Sequence, residues 1–208
     1  MAGGVRVMRG WAAVAAIAVL VAGCVETGGG GLRSVALLDG AVVATAPAGY
    51  CLAPHTGQRS GDSAVVIMGR CSAAGEAVPA VLTLSIGQGG SAGVLAGGGE
   101  ALAAYFTSAE GRAAVSRTGR ADDVEVLSAR DAEGAFLLHL RDRRAGDYWR
   151  GIDGLRGRLV TVSVTAPEGE GLDAAKGRAL VLAALAALRR ANPGTGAVAV
   201  SGPEVAGG

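Results

Sequence analysis

Alternation of apolar and polar side chains over residues 122–165 is the feature that most restricts the fold of this chain. The apolar members are Val124 and Val126, then Phe136, Leu138 and Leu140, and finally Val160, Val162 and Val164. Successive side chains of a β-strand point to opposite faces, so each run predicts a strand with one apolar face. The pattern therefore predicts a three-strand antiparallel meander over 122–165, covered on one side and largely polar on the other.

A long helix after the meander predicts what covers the sheet. Residues 172–191 carry leucines at helical spacing, end in two arginines, and are followed by Asn192-Pro193. Basic side chains suit the negative end of a helix, and proline cannot continue one. We expect this helix to pack on the face that carries Val160.

The first half of the body predicts more strands. The run "VALLDGAVVATA" predicts a hairpin around Asp39-Gly40, a dipeptide that two-residue type I′ turns prefer. Two further runs, 64–68 and 80–86, are rich in Val, Leu and Ile and predict strands. A glycine-rich stretch, 87–99, predicts a flexible loop after them.

Helical patterns follow this loop. A first helix is predicted up to Phe106, and Thr107 with Glu110 forms a capping-box pattern that opens a second helix ending by Gly119. The chain therefore predicts an α+β fold, in which a helical pair and a long C-terminal helix pack on a mostly antiparallel sheet. This order of elements is similar to that of PsbP-like domains, which are small α/β/α sandwiches. The resemblance covers the body, 35–192, and implies a fold without functional residues.

The first residues predict an export signal. Arg6 and Arg9 precede an apolar run that is shorter than the ~20 residues of a transmembrane helix, so residues 1–23 predict a signal peptide. Residues 21–24, Val-Ala-Gly-Cys, resemble the lipobox of bacterial lipoproteins. The resemblance implies that Cys24 becomes the first mature residue and carries the lipid. An ordinary secretory signal and an uncleaved anchor are the alternatives.

The flanking segments complete this organisation. Residues 24–34 contain four consecutive glycines and predict a flexible tether between the lipid and the body. Residues 193–208 are poor in large apolar side chains and predict a disordered tail. Val25 stands where an Asp would be the retention signal for the inner membrane. The resemblance to lipoproteins therefore favours the outer membrane, with the body facing the periplasm.

The two remaining cysteines predict a disulfide. With Cys24 lipidated, Cys51 and Cys71 are left as one pair in an oxidising compartment. Two buried, inert thiols are the alternative. His55 with both cysteines would supply at most three metal ligands, so we expect neither a metal nor a cofactor.

Three short motif matches fail on their context. Residues 87–92 fit a loose dinucleotide fingerprint, but the glycines that follow are a poor first helical turn. Residues 89–93 match the G-x-S-x-G pattern, but Ser91 lies too far beyond the preceding strand for a nucleophile elbow. Gly61-Asp62-Ser63 resembles the start of GDSL esterases, but no Asp-x-x-His follows. We therefore expect a loop and a turn.

Two groups of side chains remain as candidate site residues. Glu125, His139 and Ser163 fall on polar positions of the meander and are a candidate hydrolase triad, against a solvated polar face as the alternative. Tyr148-Trp149 is a candidate aromatic recognition spot, against two rings that cap an aromatic-poor core.

Charge and composition limit the partners. The chain has 19 basic and 18 acidic residues and only two Trp, three Tyr and two Phe. Neither duplex binding, which needs clustered positive charge, nor single-strand stacking on aromatic side chains is favoured, so we expect no nucleic acid. The expected function is a lipid-anchored, non-catalytic envelope module that binds a protein partner, an assembly or a small ligand. A small envelope hydrolase is the alternative.

Overall fold

The computed structural model of the chain describes residues 31–54 and 56–194. The predicted signal peptide, Cys24 and residues 195–208 of the predicted tail lie outside these ranges, as does His55. The strands are β1 Ser34–Leu37, β2 Val42–Thr45, β3 Tyr50–Leu52, β4 Gln58–Ser60, β5 Ser63–Arg70, β6 Val81–Ile86, β7 Val124–Ala132, β8 Ala135–Asp142, β9 Gly146–Leu155 and β10 Arg158–Thr165. The α-helices are α1 Gly98–Thr107, α2 Ala109–Val115 and α3 Ala174–Ala191, and short 3-10 helices span Ser91–Gly97 and Ala121–Asp123.

A single antiparallel sheet organises the body. Its strand order is β3-β5-β6-β10-β9-β8-β7, and β4 pairs with the beginning of β5. Strands β1 and β2 form a separate hairpin that packs beside α3. The predicted α+β class, with a helical pair and a long C-terminal helix on an antiparallel sheet, is confirmed.

The meander has four strands, not the predicted three. The missed strand is β9, which pairs with β8 and β10. Its sequence, "GDYWRGIDGL", contains glycines and charges that hide the period of two. One glycine has a packing role: a Cβ on Gly151 would lie 2.7 Å from Leu185 Cδ1 and 2.9 Å from Val181 Cγ2 of α3.

Helix α3 covers the first face of the sheet, as predicted. Val160, Val162 and Val164 are at most 1% exposed and share a core with the leucines of α3. The helix begins at Ala174, where the Asp173 side chain accepts a hydrogen bond from Lys176 N at 2.9 Å. This is a standard N-cap, because the carboxylate satisfies an N–H that has no partner within the helix.

The second face is covered over half of its width, which corrects the expected one-sided sheet. Helices α1 and α2 pack over β7, and a second core forms beneath them. We call this region the covered half; its buried side chains on the sheet are Val124, Phe136, Leu138, Leu140, Tyr148 and Ile152. The alternation of Phe136, Leu138 and Leu140 therefore marks a face opposite to the one that α3 covers.

The β1–β2 connection differs from the expected two-residue turn. Leu37 pairs with Val42, so four residues connect the strands. Leu38, Asp39 and Gly40 all have positive φ, at 54°, 57° and 84°. Asp and Gly tolerate this left-handed backbone, so the dipeptide correctly predicts the position of the turn. The connecting loop is nevertheless longer than the two residues expected.

The helical pair also begins differently from the prediction. Much of the glycine-rich stretch is helical, because a 3-10 helix spans Ser91–Gly97 and α1 starts at Gly98. The N-cap of α2 is Ser108, which accepts from Gly111 N at 3.1 Å, and Thr107 ends α1 instead. The hydroxyls of Thr107 and Ser108 both donate to backbone carbonyls of α1. The sequence alone therefore does not show which of the two residues is the N-cap of α2.

Candidate functional site

The second face of the sheet is open over β5, β6 and the part of β10 from Thr161 onward, whereas the 3-10 helix Ser91–Gly97 covers the beginning of β10. Helices α1 and α2 lie over β7 and do not reach these strands. We call this region the open half; its outward side chains are Val65, Ile67, Val81, Thr83, Ser85, Thr161, Ser163 and Thr165. The strand register places Ile67 opposite Thr83 and Thr83 opposite Ser163, so side chains from the three strands form straight rows.

Hydroxyl and branched aliphatic side chains make up this surface. Val65, Ile67 and Val81 are 42%, 47% and 36% exposed, and they are three of the six large apolar side chains exposed in the part of the chain that the structure describes. The bordering charge is Arg150, whose Nε donates to Ser163 Oγ at 3.0 Å. The open half is therefore a flat, nearly neutral surface that offers both apolar contact and hydrogen bonds.

A disulfide borders the open half at the β3 edge. Cys51 and Cys71 are bonded, with their Cα atoms 4.9 Å apart, which confirms the predicted pair. Cys51 lies opposite Gly69 of β5, so its side chain points to the same side as Ile67. The bond ties the edge strand β3 to the end of β5.

The chain enters the body beside this disulfide. A Cβ on Gly31 would lie 3.1 Å from Cys51 Cβ and 3.3 Å from its Sγ. The next residue continues along β3, because Leu52 N donates to Leu32 O at 2.7 Å. The first described residue of the chain therefore lies at the border of the open half.

The glycine-rich motif closes the opposite end of the open half. Arg158 donates to Asp62 Oδ1 at 2.7 Å and to Gly87 O at 3.0 Å, and Gly89 N donates to Asp62 Oδ2 at 3.0 Å. The hydrogen bond from Arg158, followed by the one from Gly89, holds the pKa of Asp62 below its ordinary value. These contacts fix the loop to the β4–β5 turn, so its glycines serve packing within the chain.

Ser91 is also used structurally. Its Oγ donates to Gln88 O at 2.6 Å and accepts from Leu159 N at 2.9 Å. A nucleophile elbow would instead present this hydroxyl at a strand tip beside a base. The rejection of a nucleophile elbow is thus supported, but the predicted flexible loop is wrong, because hydrogen bonds fix Gly89 and Ser91 and the segment from Ser91 onward is helical.

The sheet does not bring the candidate triad together. His139 lies opposite Trp149, and Trp149 lies opposite Val164, which places all three on the α3 face. Ser163 lies opposite Arg150 on the other face, in the open half. Because the sheet separates His139 from Ser163, the proposed base cannot reach the proposed nucleophile.

His139 and Glu125 have other partners. The imidazole of His139 stacks on the Trp149 ring, with 4.4 Å between ring centroids. Burial holds the pKa of His139 below its ordinary value. Glu125 lies 3.4 Å from Arg141, which also pairs with Asp147 at 2.7 Å.

Tyr148 and Trp149 are core residues, which corrects their assignment as a recognition spot. They are 4% and 5% exposed and point to opposite faces of the sheet. Tyr148 donates its hydroxyl to Val115 O at 2.8 Å, and its burial raises the pKa of the phenol. The Trp149 ring lies against α3, where a Cβ on Gly177 would be 2.6 Å from Cδ1. Adjacent strand residues alternate in direction, so one dipeptide supplies an anchor to each core.

An open cleft of about 500 Å³ lies at the β7 edge, outside the predicted sites. Its charged side chains are Asp122, Asp123, Glu125, Arg141, Asp142, Arg143 and Asp147. Asp142 is buried and accepts from three backbone N–H groups. Arg141 forms exposed ion pairs with Glu125 and Asp147, and Arg143 forms one with Asp123. Such exposed pairs contribute ~0–1 kcal/mol each and match a solvated charged edge.

Sequence reasoning missed the open half as a unit, although a signal for it exists. The run "VLTLSI" alternates Leu82, Leu84 and Ile86 with hydroxyls, as "VTVSVT" does with valines. Two neighbouring strands with hydroxyls at every second position predict a shared polar face, but only the pairing shows that β6 and β10 are neighbours.

Comparisons with protein-family models and with curated proteins found no match. Within residues 31–54 and 56–194, no helix is both long and apolar enough to cross a membrane. The same ranges contain no group of three or more His, Cys, Asp or Glu side chains arranged to hold a metal ion.

Proposed function

We propose that this chain is a lipid-anchored bacterial envelope protein that acts as a non-catalytic binding or assembly module. The anchor is Cys24 of the lipobox, and the proposed location is the outer membrane, with the body facing the periplasm. The Cys51–Cys71 disulfide supports export, because such bonds persist in oxidising compartments.

The observation that carries the binding role is the open half. A monomeric body normally covers large exposed apolar surface, and here one half of a sheet face is packed under helices while the other half is bare. Its rows of Val, Ile, Thr and Ser supply apolar contact and hydrogen-bonding groups on a rigid sheet. A rigid surface binds without the entropic cost of ordering loops.

The hydrolase alternative has no comparable support. It requires Ser163 beside His139, and the two side chains leave the sheet on opposite faces. Ser163 instead accepts a hydrogen bond from Arg150. The non-catalytic module is therefore the function that the geometry favours.

Substitution of the anchor tests the first part of the proposal. In cells, Cys24→Ser is expected to leave the precursor uncleaved or to release the protein into the soluble periplasmic fraction, because two or more lipid chains are needed for stable anchoring. Fractionation and the mature mass provide the measurement. An unchanged mass and an unchanged membrane fraction would contradict lipidation at Cys24.

Photo-crosslinking tests the second part. A photoreactive amino acid replaces Val65 of the open half in one strain and Tyr105 of α1 in another; these side chains are matched at 42% and 40% exposure. The proposal predicts an adduct from position 65 and none from position 105. Equal yields at both positions, or none at 65, would remove the open half as the binding surface.

A further inference from the structure

We propose that the open half rests on the lipid surface to which the chain is anchored, so that the bilayer itself is its binding partner. This inference rests on the proposed anchor at Cys24 and names the occupant of the proposed binding surface. It is carried by three features of the described residues: where the chain enters the body, where its exposed apolar side chains lie, and how its charges are placed.

The point of entry is the first feature. Residues 24–30 connect the proposed lipid to Gly31, and at ~3.5 Å per extended residue this segment reaches no more than about 25 Å. Because Gly31 lies against the Cys51 side of the disulfide, the anchor holds this border of the open half close to the headgroups.

The second feature is the distribution of exposed apolar side chains. Three of the six large ones in the described residues lie on the open half: Val65, Ile67 and Val81. Branched aliphatic side chains favour the boundary between headgroups and acyl chains, and the neighbouring hydroxyls hydrogen-bond with headgroup oxygens.

Charge placement is the third feature. None of the outward side chains of the open half is acidic, and Arg150 at its border is cationic. The carboxylate of Asp62 lies at the end far from the disulfide, where it pairs with Arg158. The absence of acidic side chains from the open half favours its contact with anionic lipids, because carboxylates would be repelled there.

Anchoring makes a weak contact sufficient. A tether of this length converts binding of the open half into an intramolecular step with a high effective concentration. The free body therefore needs little affinity for bilayers, and the tethered body lies with one defined face down. The opposite face of the sheet, which α3 covers, then points away from the lipid.

Isoleucine methyl NMR on a tethered chain tests this orientation. Residues 24–208 contain three isoleucines: Ile67 in the open half, Ile86 under α3, and Ile152 in the covered half. With Cys51 and Cys71 oxidised, Cys24 is the free thiol and can be coupled to a maleimide lipid in a nanodisc of phosphatidylethanolamine and phosphatidylglycerol. Chemical coupling makes this experiment independent of lipidation in cells.

A gadolinium-chelating lipid in the nanodisc supplies the readout. The proposal predicts loss of the Ile67 methyl signal, while the signals of Ile86 and Ile152 persist. Val65→Asp should restore the Ile67 signal, because an ionised carboxylate in the open half opposes contact with the bilayer. Tyr105→Asp, a matched charge on α1, should leave it broadened.

Several outcomes would overturn the inference. Equal broadening of all three methyls means that the body tumbles without preference, and stronger broadening of Ile152 means that the covered half faces the lipid. An Ile67 shift that depends on protein concentration without lipid would identify a second copy of the chain as the occupant. A protein adduct rather than a lipid adduct at Val65 in cells would support the binding module and refute the bilayer as its partner.

Discussion

The covered half and the open half belong to one face of one sheet, yet they have opposite surroundings. One row of neighbouring side chains crosses both, from Ile67 through Thr83, Ser163 and Arg150 to Leu138. Leu138 is fully buried under the helices, whereas Ile67 is 47% exposed. The difference lies in side-chain chemistry: burial of a Leu contributes about 1.5–3 kcal/mol, whereas a buried hydroxyl without a partner costs free energy. The helices therefore stop where the hydroxyls begin.

The largest expected effect is from Leu138→Ala in the covered half. The side chain is 0% exposed within the second core, so its truncation should lower the free energy of unfolding by about 2–5 kcal/mol. Urea unfolding of the purified body provides the measurement. A loss below about 1 kcal/mol would mean that α1 and α2 pack loosely and that the two halves differ little.

Loss of the disulfide should weaken the open side of the sheet next. Cys51 and Cys71 are 20 residues apart, and closing a loop of this size contributes about 3 kcal/mol by restricting the unfolded chain. The paired substitution Cys51→Ser with Cys71→Ser should therefore lower the urea midpoint. Reduced wild-type protein is the control and should match the variant. An unchanged midpoint would show that non-covalent packing alone holds β3 to the open half.

Acid should weaken the covered half through Asp142. This carboxylate is 1% exposed, and its hydrogen bond with Arg117 N ties the loop after α2 to β8. Burial acts to raise the pKa of Asp142, but hydrogen bonds from Arg144 N, Ala145 N and Arg117 N outweigh it and lower the pKa. The unfolded chain therefore binds the proton more tightly. This stabilisation is complete above the unfolded pKa of about 4 and is lost as the pH falls through the lower folded value.

The variant Asp142→Asn tests this pH dependence. Loss of a charged acceptor from buried hydrogen bonds should cost about 1.5–3 kcal/mol at neutral pH. As the pH falls from ~4 through the lower folded pKa, the variant and the wild type should converge, since protonation then removes the same charge. Urea unfolding of both proteins at several pH values measures the difference between their free energies of unfolding. The titration of the other carboxylates cancels in this difference. A constant difference across the acid range would contradict the role of this charge.

Much of this architecture follows from local sequence patterns. The valines of β10 predict their own burial, and the leucines of α3 predict the helix that covers them. The Cys51–Cys71 pair is predicted from the expected oxidising compartment, since two cysteines remain when Cys24 is lipidated. For the strand and the helix, one short segment contains the whole signal, because strand and helix periods act over a few residues.

The site follows from the sequence only in part, because it depends on pairing between distant strands. Strand β9 escapes prediction because Gly151 replaces a large side chain where α3 packs closely. Without β9, the apolar side chains of β8 and β10 are expected to share one face, which places His139 beside Ser163. The pairing through β9 instead puts Leu138 on the face of Ser163 and His139 on the face of Val164.

The smallest expected effect is from Thr83→Val in the open half, in the same row as Leu138. Thr83 is partly exposed, so the nearly isosteric change should alter the free energy of unfolding by no more than about 0.5 kcal/mol. The same urea titration used for Leu138→Ala measures it, which makes the two variants a direct test of the two halves. A change above about 1 kcal/mol would show that the open half is packed against something in the isolated body. With stability unchanged, the added methyl should instead increase broadening of the Ile67 methyl on nanodiscs, because it replaces a hydroxyl with apolar surface at the lipid boundary.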